Sequence, residues 1–591
     1  MNPARIQAMV QQALVHHREG RLAQAAALYA QARTQAPKHF DAWHLGGTVA
    51  LQAGKTADAV ALLERACQLQ PADAVCRMRL AVAWLGVGRH AEARIALEAL
   101  VKAHPTLVAA WDNLGYARKC GDDLAGGIAA HRQAVALDPR YVSGWHNLGL
   151  SLAMQGEPEE ALRCQERALA LDPGHRRAAS ARLLMMQYSD GFSREARFAA
   201  HRAYGDMVRP RTAGVATDLT ESEPRTRLRV GFVSPDFRQH SVAHFVEPLL
   251  AHLDHATFEP VLYHDHASED AVSARLRGHA ALWRPIAGLI DDAVEKIIRA
   301  DAPDILIDLS AHTGRTRLPI FARRLAPVQI TYLGYPDTTG LAEMDVRLTD
   351  AEADPVGEAD RWHTERLVRF SPCAWSYQPP DDAPAVTPPP SGQKERPFTF
   401  GSFNHLAKIN AATLKLWSSV LAAVPGSRLL LKSMGLDIPA TRDALILRLR
   451  AAGIAEEQVE LLGPTRGVAA HLALYAQVDV TLDPFPYHGT TTTCEALWMG
   501  RPVVTLAGDR HASRVGVSLL TAVGHPEWIA ETESDYVRIA AGLAADRAAL
   551  AAQCHALRDT MRSSVLMDHA GQAARFGEAL LACRADALAR V

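Results

Sequence analysis

The sequence predicts an all-α repeat array followed by two doubly wound α/β halves, and three observations predict it. A proline recurs every 34 residues, at Pro37, Pro71, Pro105, Pro139 and Pro173. From Leu228 onward, short apolar runs alternate with helical stretches, the pattern of buried parallel strands and their crossover helices. A proline-rich break over Gln378–Pro397 then divides that pattern into two similar parts. At 591 residues the chain is too long for a single core.

The first 173 residues keep one register. Trp43, Arg77, Trp111 and Trp145 share the 34-residue step, as do Gly20, Gly54, Gly88 and Gly156, with Asp122 in the missing slot. Small residues keep it too, at Ala25, Ala59, Ala93, Gly127 and Ala161. The blocks Trp111-Asp-Asn-Leu-Gly-Tyr and Trp145-His-Asn-Leu-Gly-Leu show the unit best. This pattern resembles the tetratricopeptide repeat, a helix–turn–helix unit, in five copies over 1–173. Glycine ends the first helix, a small residue lets the pair approach, and proline ends the second. The tryptophans are expected in the interhelix core. Residues 174–225 read as a helical cap over the last repeat, running into a Pro/Thr/Glu-rich linker from Arg209 to Thr226.

Strands are expected at Leu228–Ser234, Pro260–Tyr263, Asp304–Leu309 and Val328–Leu333 in a first lobe, 226–377. After the linker, 378–397, they resume at Phe398–Ser402, Arg428–Lys432, Val459–Leu462, Val478–Leu482 and Pro502–Leu506 in a second lobe, 398–530. The remainder, 531–591, reads as packing helices. Two such lobes place a cleft at the carboxyl ends of their strands, where open α/β sheets bind ligands.

Composition narrows the function. Lys+Arg 63 against Asp+Glu 65 leaves a net charge of −2, which argues against nucleic acid or an anionic membrane as partner. Eight scattered cysteines form no CxxC pair, and the chain opens without an apolar signal core, so a reducing, cytoplasmic setting is expected. There is no Walker A loop, no dinucleotide fingerprint and no Asp-x-Asp pair after a strand to hold a metal–diphosphate complex. His264-Asp-His266 is too closely spaced for a zinc motif and reads as strand-end surface.

One stretch carries the chemistry: Asp483-Pro-Phe-Pro-Tyr-His-Gly-Thr-Thr-Thr-Thr-Cys-Glu-Ala-Leu-Trp-Met-Gly500. A strand precedes it, Gly489 allows a sharp turn, and a helix follows. A helix mouth with free N–H groups and hydroxyls is an anion site, here read as one for the diphosphate of a sugar nucleotide. Without a metal, the departing diphosphate needs a cation nearby. Lys408, in Phe403-Asn-His-Leu-Ala-Lys-Ile409 after a strand of the same lobe, supplies it. In the first lobe, His240 follows a strand and could take a proton from an acceptor hydroxyl. Alone, such a lysine is ordinarily surface and such a histidine ordinarily a cap.

Together, the repeat array, Val233-Ser-Pro-Asp-Phe with His240, Leu333-Gly-Tyr-Pro336, Phe403-Asn-x-Leu-x-Lys408, His471 and Gly489-Thr-Thr-Thr-Thr-x-Glu495 resemble the nucleocytoplasmic protein O-GlcNAc transferase family. The resemblance implies a GT-B fold and an inverting enzyme, with no metal or other cofactor, that glycosylates protein Ser/Thr from UDP-GlcNAc. It implies His240 as base, Lys408 on the diphosphate and Thr491 and Thr492 at the helix start. His405 is implied beside the phosphates, His471 near the nucleobase and Glu495 on the ribose. Leu333, Gly334 and Pro336 are implied at the sugar and acceptor. Thr490 and Glu495 stand where animal members carry His and Asp. That turn, with Ala311-His-Thr-Gly314, is more similar to the SPINDLY-type branch, which uses GDP-fucose. A repeat scaffold with an inactive nucleotide-binding module is the remaining alternative. The implied partners are a nucleotide sugar and a protein or peptide acceptor along the repeat groove, with no nucleic acid and no membrane.

Overall fold

The computed structural model describes residues 3–210, 226–314, 316–392 and 396–589. They form two compact units, Met1–Leu152 with Ala170–Pro173, and Ala153–Leu169 with Gly174–Val591.

The repeats form helix pairs. These are α1 (Pro3–Arg18) and α2 (Leu22–Gln35), α3 (Phe40–Gln52) and α4 (Thr56–Leu69), α5 (Ala74–Gly86) and α6 (His90–Ala103), α7 (Val108–Cys120) and α8 (Leu124–Leu137), then α9 (Val142–Gln155) and α10 (Pro158–Leu171). The recurrent glycines sit between helices with φ from +74° to +92°, and Asp122 takes the same left-handed conformation at +62°. Aspartate is one of the few residues that tolerates it. Ala25, Ala59 and Ala93 are fully buried, as close helix approach requires. The tryptophans are not wholly in the core. Trp43, Trp111 and Trp145 are half-buried, and each indole N–H donates to the carbonyl of the proline six residues earlier, at 3.0, 2.8 and 3.0 Å. These bonds lie at the exposed edge of each ring and hold it over the inter-repeat turn.

In the second unit, α11 (Arg176–Gln187) and α12 (Arg194–Val208) are bound into the first lobe. Gln187 Nε2 donates to Tyr335 Oη at 3.2 Å and to Asp337 Oδ2 at 2.9 Å, and His201 Nε2 lies 2.9 Å from the same hydroxyl. The predicted linker after α12 falls on 211–225, outside the described residues.

The first lobe holds a seven-stranded parallel sheet in the order β3-β2-β1-β4-β5-β6-β7. Its strands are β1 (Leu228–Ser234), β2 (Phe258–His264), β3 (Leu282–Pro285), β4 (Ile305–Asp308), β5 (Val328–Thr331), β6 (Val346–Asp350) and β7 (Arg366–Phe370). The second lobe holds six parallel strands ordered β10-β9-β8-β11-β12-β13. These are β8 (Thr399–Ser402), β9 (Arg428–Lys432), β10 (Val459–Leu462), β11 (Val480–Leu482), β12 (Val503–Leu506) and β13 (Ile529–Ala530). In each sheet the strand order reverses beside the first strand, so the crevice opens after β1 and β4 on one side and after β8 and β11 on the other.

The proline-rich stretch between the lobes is packed, not free. Arg501 Nη2 donates to Thr387 O at 2.9 Å, Arg558 Nη2 to Pro384 O at 2.8 Å, and Asp479 Oδ1 accepts from Ser391 N at 2.9 Å. Its residues 393–395 lie outside the described set. The last helix, His569–Leu588, returns to the first lobe, where Phe576, Leu580 and Cys583 join the core under β1, β4 and β5. His264-Asp-His266 is not surface. His264 and Asp265 are buried, and Arg317 grips both Asp265 oxygens at 2.8 and 2.9 Å.

Candidate functional site

The turn after β11 is framed by buried polar groups. Asp483 Oδ1 accepts from Gly489 N at 2.7 Å and Oδ2 from Thr505 Oγ1 at 2.9 Å. His488 is fully buried; Gly516 N lies 3.1 Å from Nδ1 and Leu506 O lies 2.9 Å from Nε2. Those contacts fix a neutral ring with the proton on Nε2, and burial pushes its pKa down to about 3. Gly489 is required by crowding, since it does not adopt a left-handed φ. A Cβ there would lie 2.4 Å from Thr492 Oγ1 and 2.9 Å from Thr493 Oγ1.

The helix Thr491–Trp498 opens directly on this turn. Thr492 Oγ1 donates to Asn404 Oδ1 at 3.0 Å and Thr493 Oγ1 to Gly489 O at 3.2 Å. Thr490 stands at the N-cap without making a side-chain cap, and the buried Thr491 hydroxyl has no hydrogen-bond partner among the described residues. A buried hydroxyl in that state is costly unless something else occupies its acceptor or donor position.

Lys408 reaches this turn from the other side. It ends a short 3₁₀ turn, Leu406–Lys408, after β8, with Ala407 N donating to His405 Nδ1 at 3.2 Å. Lys408 Nζ donates to His488 O at 2.7 Å and stands 4.2 Å over the Tyr487 ring. Burial lowers its pKa to about 8, against the pull of Asp483. His405 is open to the cleft but hemmed in by protein; desolvation, then Lys408, lowers its pKa to about 4.

From the first lobe, His240 lies between β1 and the helix α13 (Ala243–His252). Its Nδ1 lies 3.3 Å from Val242 N, whose N–H donates to it, and 3.6 Å from Asp236 Oδ1. That leaves the proton of the neutral ring on Nε2. His244 is tied elsewhere, to Gln378 O at 2.9 Å. Leu333 has φ +63°, and a Cβ on Gly334 would fall 1.9 Å from Leu309 O, so only glycine fits there.

His240, Leu333, Gly334, Pro336, His405, Lys408, Thr490, Thr491 and Thr492 line one cavity of about 320 Å³ between the two sheets' carboxyl ends. His471 and Glu495 do not line it. They lie beside it in a chain of contacts: Lys432 Nζ to His471 Nδ1 at 2.9 Å, His471 Nε2 to Glu495 Oε2 at 3.0 Å, and Tyr475 Oη to the same oxygen at 3.3 Å. The amino group of Lys432 makes Nδ1 the acceptor, so Nε2–H points at the carboxylate.

Sequence reasoning missed Asn404, Tyr487, His511, Trp375 and Phe245, which also line the cavity, and Lys432 behind it. Tyr487 and Asn404 lay within the two stretches that drew attention; the others carry no local signal. Of Ala311-His-Thr-Gly314, Thr313 reaches the cavity, whereas His312 is buried between Ser180 Oγ at 3.0 Å and Thr339 O at 3.1 Å. Among the described residues no group of three His, Cys, Asp or Glu side chains is gathered to hold a metal ion, and no helix is long and apolar enough to cross a membrane.

The sequence matches Glycosyl transferase family 41 over 213–375 and 390–574, and tetratricopeptide repeats over 10–74, 50–114 and 142–175. It is 39% identical over 399 residues to a tomato (Solanum lycopersicum) protein named probable UDP-N-acetylglucosamine–peptide N-acetylglucosaminyltransferase SPINDLY, covering 67% of this chain and 43% of that one. The Arabidopsis thaliana relative named SEC is 30% identical over 353 residues, covering 58% of this chain and 35% of its own length. The chain therefore spans less than half the length of these relatives. A lysine-to-methionine mutant of the Thermobaculum terrenum O-GlcNAc transferase superposes with a TM-score of 0.79 at 34% identity, covering 90% of this chain and 98% of that one. The two parallel-sheet lobes are thus a GT-B arrangement preceded by a repeat array. With more than half its length matched by the family and its cleft residues gathered from both lobes, the chain belongs to glycosyl transferase family 41.

Proposed function

We propose that this chain transfers N-acetylglucosamine from UDP-N-acetylglucosamine to Ser or Thr hydroxyls of proteins, with inversion and without a metal ion. One observation carries the reading. The Lys408 amino group and the unpartnered Thr491 hydroxyl border the same cavity at the mouth of one helix. A pyrophosphate placed there meets a cation, a hydroxyl donor and the positive end of the helix dipole. As the acceptor oxygen attacks the anomeric carbon, the bond to the diphosphate breaks, and negative charge grows on the leaving oxygen. Donors already aimed at that point stabilise it without reorganising.

His240 faces the acceptor side as a donor through Nε2–H. To take the acceptor proton there, its ring must move its own proton to Nδ1, exchanging the Val242 N–H for the carboxylate of Asp236. Glu495, held by His471 and Tyr475 beside the cavity, is read as the partner of the ribose, and Lys432 sets the His471 tautomer. The repeat array is read as the collector of protein acceptors, the use such arrays make of their concave surface.

The names of the plant relatives support UDP-N-acetylglucosamine as donor. GDP-fucose is the second reading, favoured by the Gly489-Thr-Thr-Thr-Thr-Cys-Glu495 turn. Mass spectrometry of a protein pool incubated with either donor decides. Added N-acetylhexosamine supports the first reading and added deoxyhexose the second. No addition with either donor overturns both and leaves a nucleotide-binding scaffold.

A further inference from the structure

Away from the cleft, in the repeat array, the sulfurs of Cys67 and Cys76 stand 3.0 Å apart, both as free thiols. Cys67 lies on the last turn of α4 and Cys76 on the first turn of α5, so the pair bridges the second and third repeats. Repeat geometry builds this contact at every junction. At the equivalent positions, Arg33 Nη1 donates to Ala42 O at 3.3 Å, and a Cβ on Gly144 would lie 3.0 Å from Val135 Cγ1. The other junctions fill it with Arg33 and Ala42, Val101 and Ala110, or Val135 and Gly144. Only the second places a thiol on both sides.

The two thiols are not equivalent. Cys76 is wholly buried, whereas Cys67 is half-buried and reaches solvent. The two sulfurs share a hydrogen-bond contact, either able to donate, and that contact lowers the Cys67 pKa and, with burial, raises that of Cys76. The accessible sulfur is therefore the nucleophile, and the buried one keeps its proton until it is needed.

We propose that Cys67 and Cys76 form a reversible redox site, in which a hydroperoxide converts the pair to a disulfide that staples α4 to α5. The Cys67 thiolate attacks one peroxide oxygen; an S–O bond forms, the O–O bond breaks, and hydroxide leaves and takes up a proton. The Cys76 sulfur then attacks the Cys67 sulfur of that sulfenic acid. The S–S bond forms as the S–O bond breaks, and the Cys76 proton departs with the hydroxide as water. Two thiols and one hydrogen peroxide give one disulfide and two waters; an organic hydroperoxide gives one water and its alcohol. The sulfurs need to close by only about 1 Å to reach bonding distance. A small-molecule thiol reverses the change by exchange. The site is independent of the transfer reaction proposed above.

No tryptic site lies between Ala66 and Arg77, so both thiols fall in one peptide, which makes the test direct. The full-length protein is treated with hydrogen peroxide at about one equivalent, quenched in acid, denatured and alkylated. The proposal expects peptide Ala66–Arg77 to lose two hydrogens and take no alkyl group, while the remaining cysteines alkylate, and dithiothreitol to restore both alkylation sites. Cys76→Ala restores the residue found at Ala42 and Ala110, so it keeps the fold; it should stop at a sulfenic acid on Cys67 that dimedone captures. Two alkyl groups on Ala66–Arg77 while other cysteines oxidise, or no dimedone adduct in Cys76→Ala even with excess peroxide to offset the lost Cys76 contact, overturns the proposal.

Discussion

Lys408 holds a positive charge in a place that disfavours it. Burial lowers its pKa to about 8, from a reference near about 10.4. Between those values the unfolded chain binds the extra proton, so this residue makes the empty protein more stable as pH rises through that window. On the proposed function, the charge is retained for the diphosphate it would meet in the cleft. Lys408→Met should therefore lower kcat/KM by about 10²–10³, the usual loss for an electrostatic stabiliser, without lowering Tm. In the wild type, kcat/KM should fall as pH rises through about 8, since that parameter reports the free enzyme, and the limb should vanish in Lys408→Met. A pH profile of both proteins checks this. His240 offers a second case. If the ring turns its Nδ1 proton to Asp236, Asp236→Asn should lower kcat more than it raises KM; a change in KM alone would assign His240 to binding. Residue types and spacing made the lysine and the threonine turn legible in the sequence. The unpartnered state of Thr491 and the Lys432 contact were not, because they depend on how distant parts of the chain pack, and the tautomer of His240 was not, because it depends on the backbone path from Asp236 to Val242.

At the scale of elements, three of the four strands that were missed share a cause, the fourth being the two-residue β13. β6 carries Arg347, Thr349 and Asp350, all buried, so it does not read as an apolar run. Its polar groups are bonded instead, Arg347 to Asp337 O at 2.9 Å and Thr349 to Asp354 Oδ2 at 2.6 Å. β3 and β7 are edge strands that include Arg284, Arg366 and Arg369. Most of the strands that were legible are central and mainly apolar, such as β4 and β12. The end of α11 shows how distant elements were hidden. Arg510, from the second lobe, donates to Gln187 Oε1 at 2.7 Å and to the Gln187 carbonyl at 3.1 Å, while Gln187 itself holds Tyr335 between Gly334 and Pro336. The helix C-terminus attracts such a cation. Gln187→Leu should leave Arg510 Nη1 without its Gln187 acceptor, while Tyr335 keeps His201 and Arg510 Nη2 keeps the Gln187 carbonyl, and so cost about 1–3 kcal/mol, read as a lower midpoint in urea.

Across the molecule, the two lobes are joined by buried charge as well as by chain. His511 Nδ1, which lines the cavity, lies 2.8 Å from Asp354 Oδ2 of the first lobe, and Ser518 Oγ donates to Asp350 Oδ2 at 2.6 Å. Burial works to raise the Asp354 pKa, yet the contact with His511 drives it far below the usual carboxylate range. A depressed carboxylate contributes stability that is fully present above its unfolded value of about 3.9 and is lost as pH falls toward the folded one. Asp354→Asn should thus lower Tm at pH 7 and narrow the gap to wild type in acid. The repeat array was the most legible part of the chain, because a 34-residue register repeats its own evidence. Its last repeat is divided, however: Ala153–Leu169 groups with the lobes, and Arg448 donates to the Gly156 carbonyl.

The account rests on a pyrophosphate held by Lys408 and the threonine-bearing helix mouth. Titration calorimetry of UDP and GDP into the full-length protein, in chelator, tests this most directly when repeated on Lys408→Met and Thr491→Val. The account predicts metal-free binding of one nucleotide that weakens at least about tenfold in Lys408→Met, from the loss of a charge-assisted contact, and measurably in Thr491→Val. Equal affinity in all three proteins, or binding that appears only with added divalent metal, would contradict it.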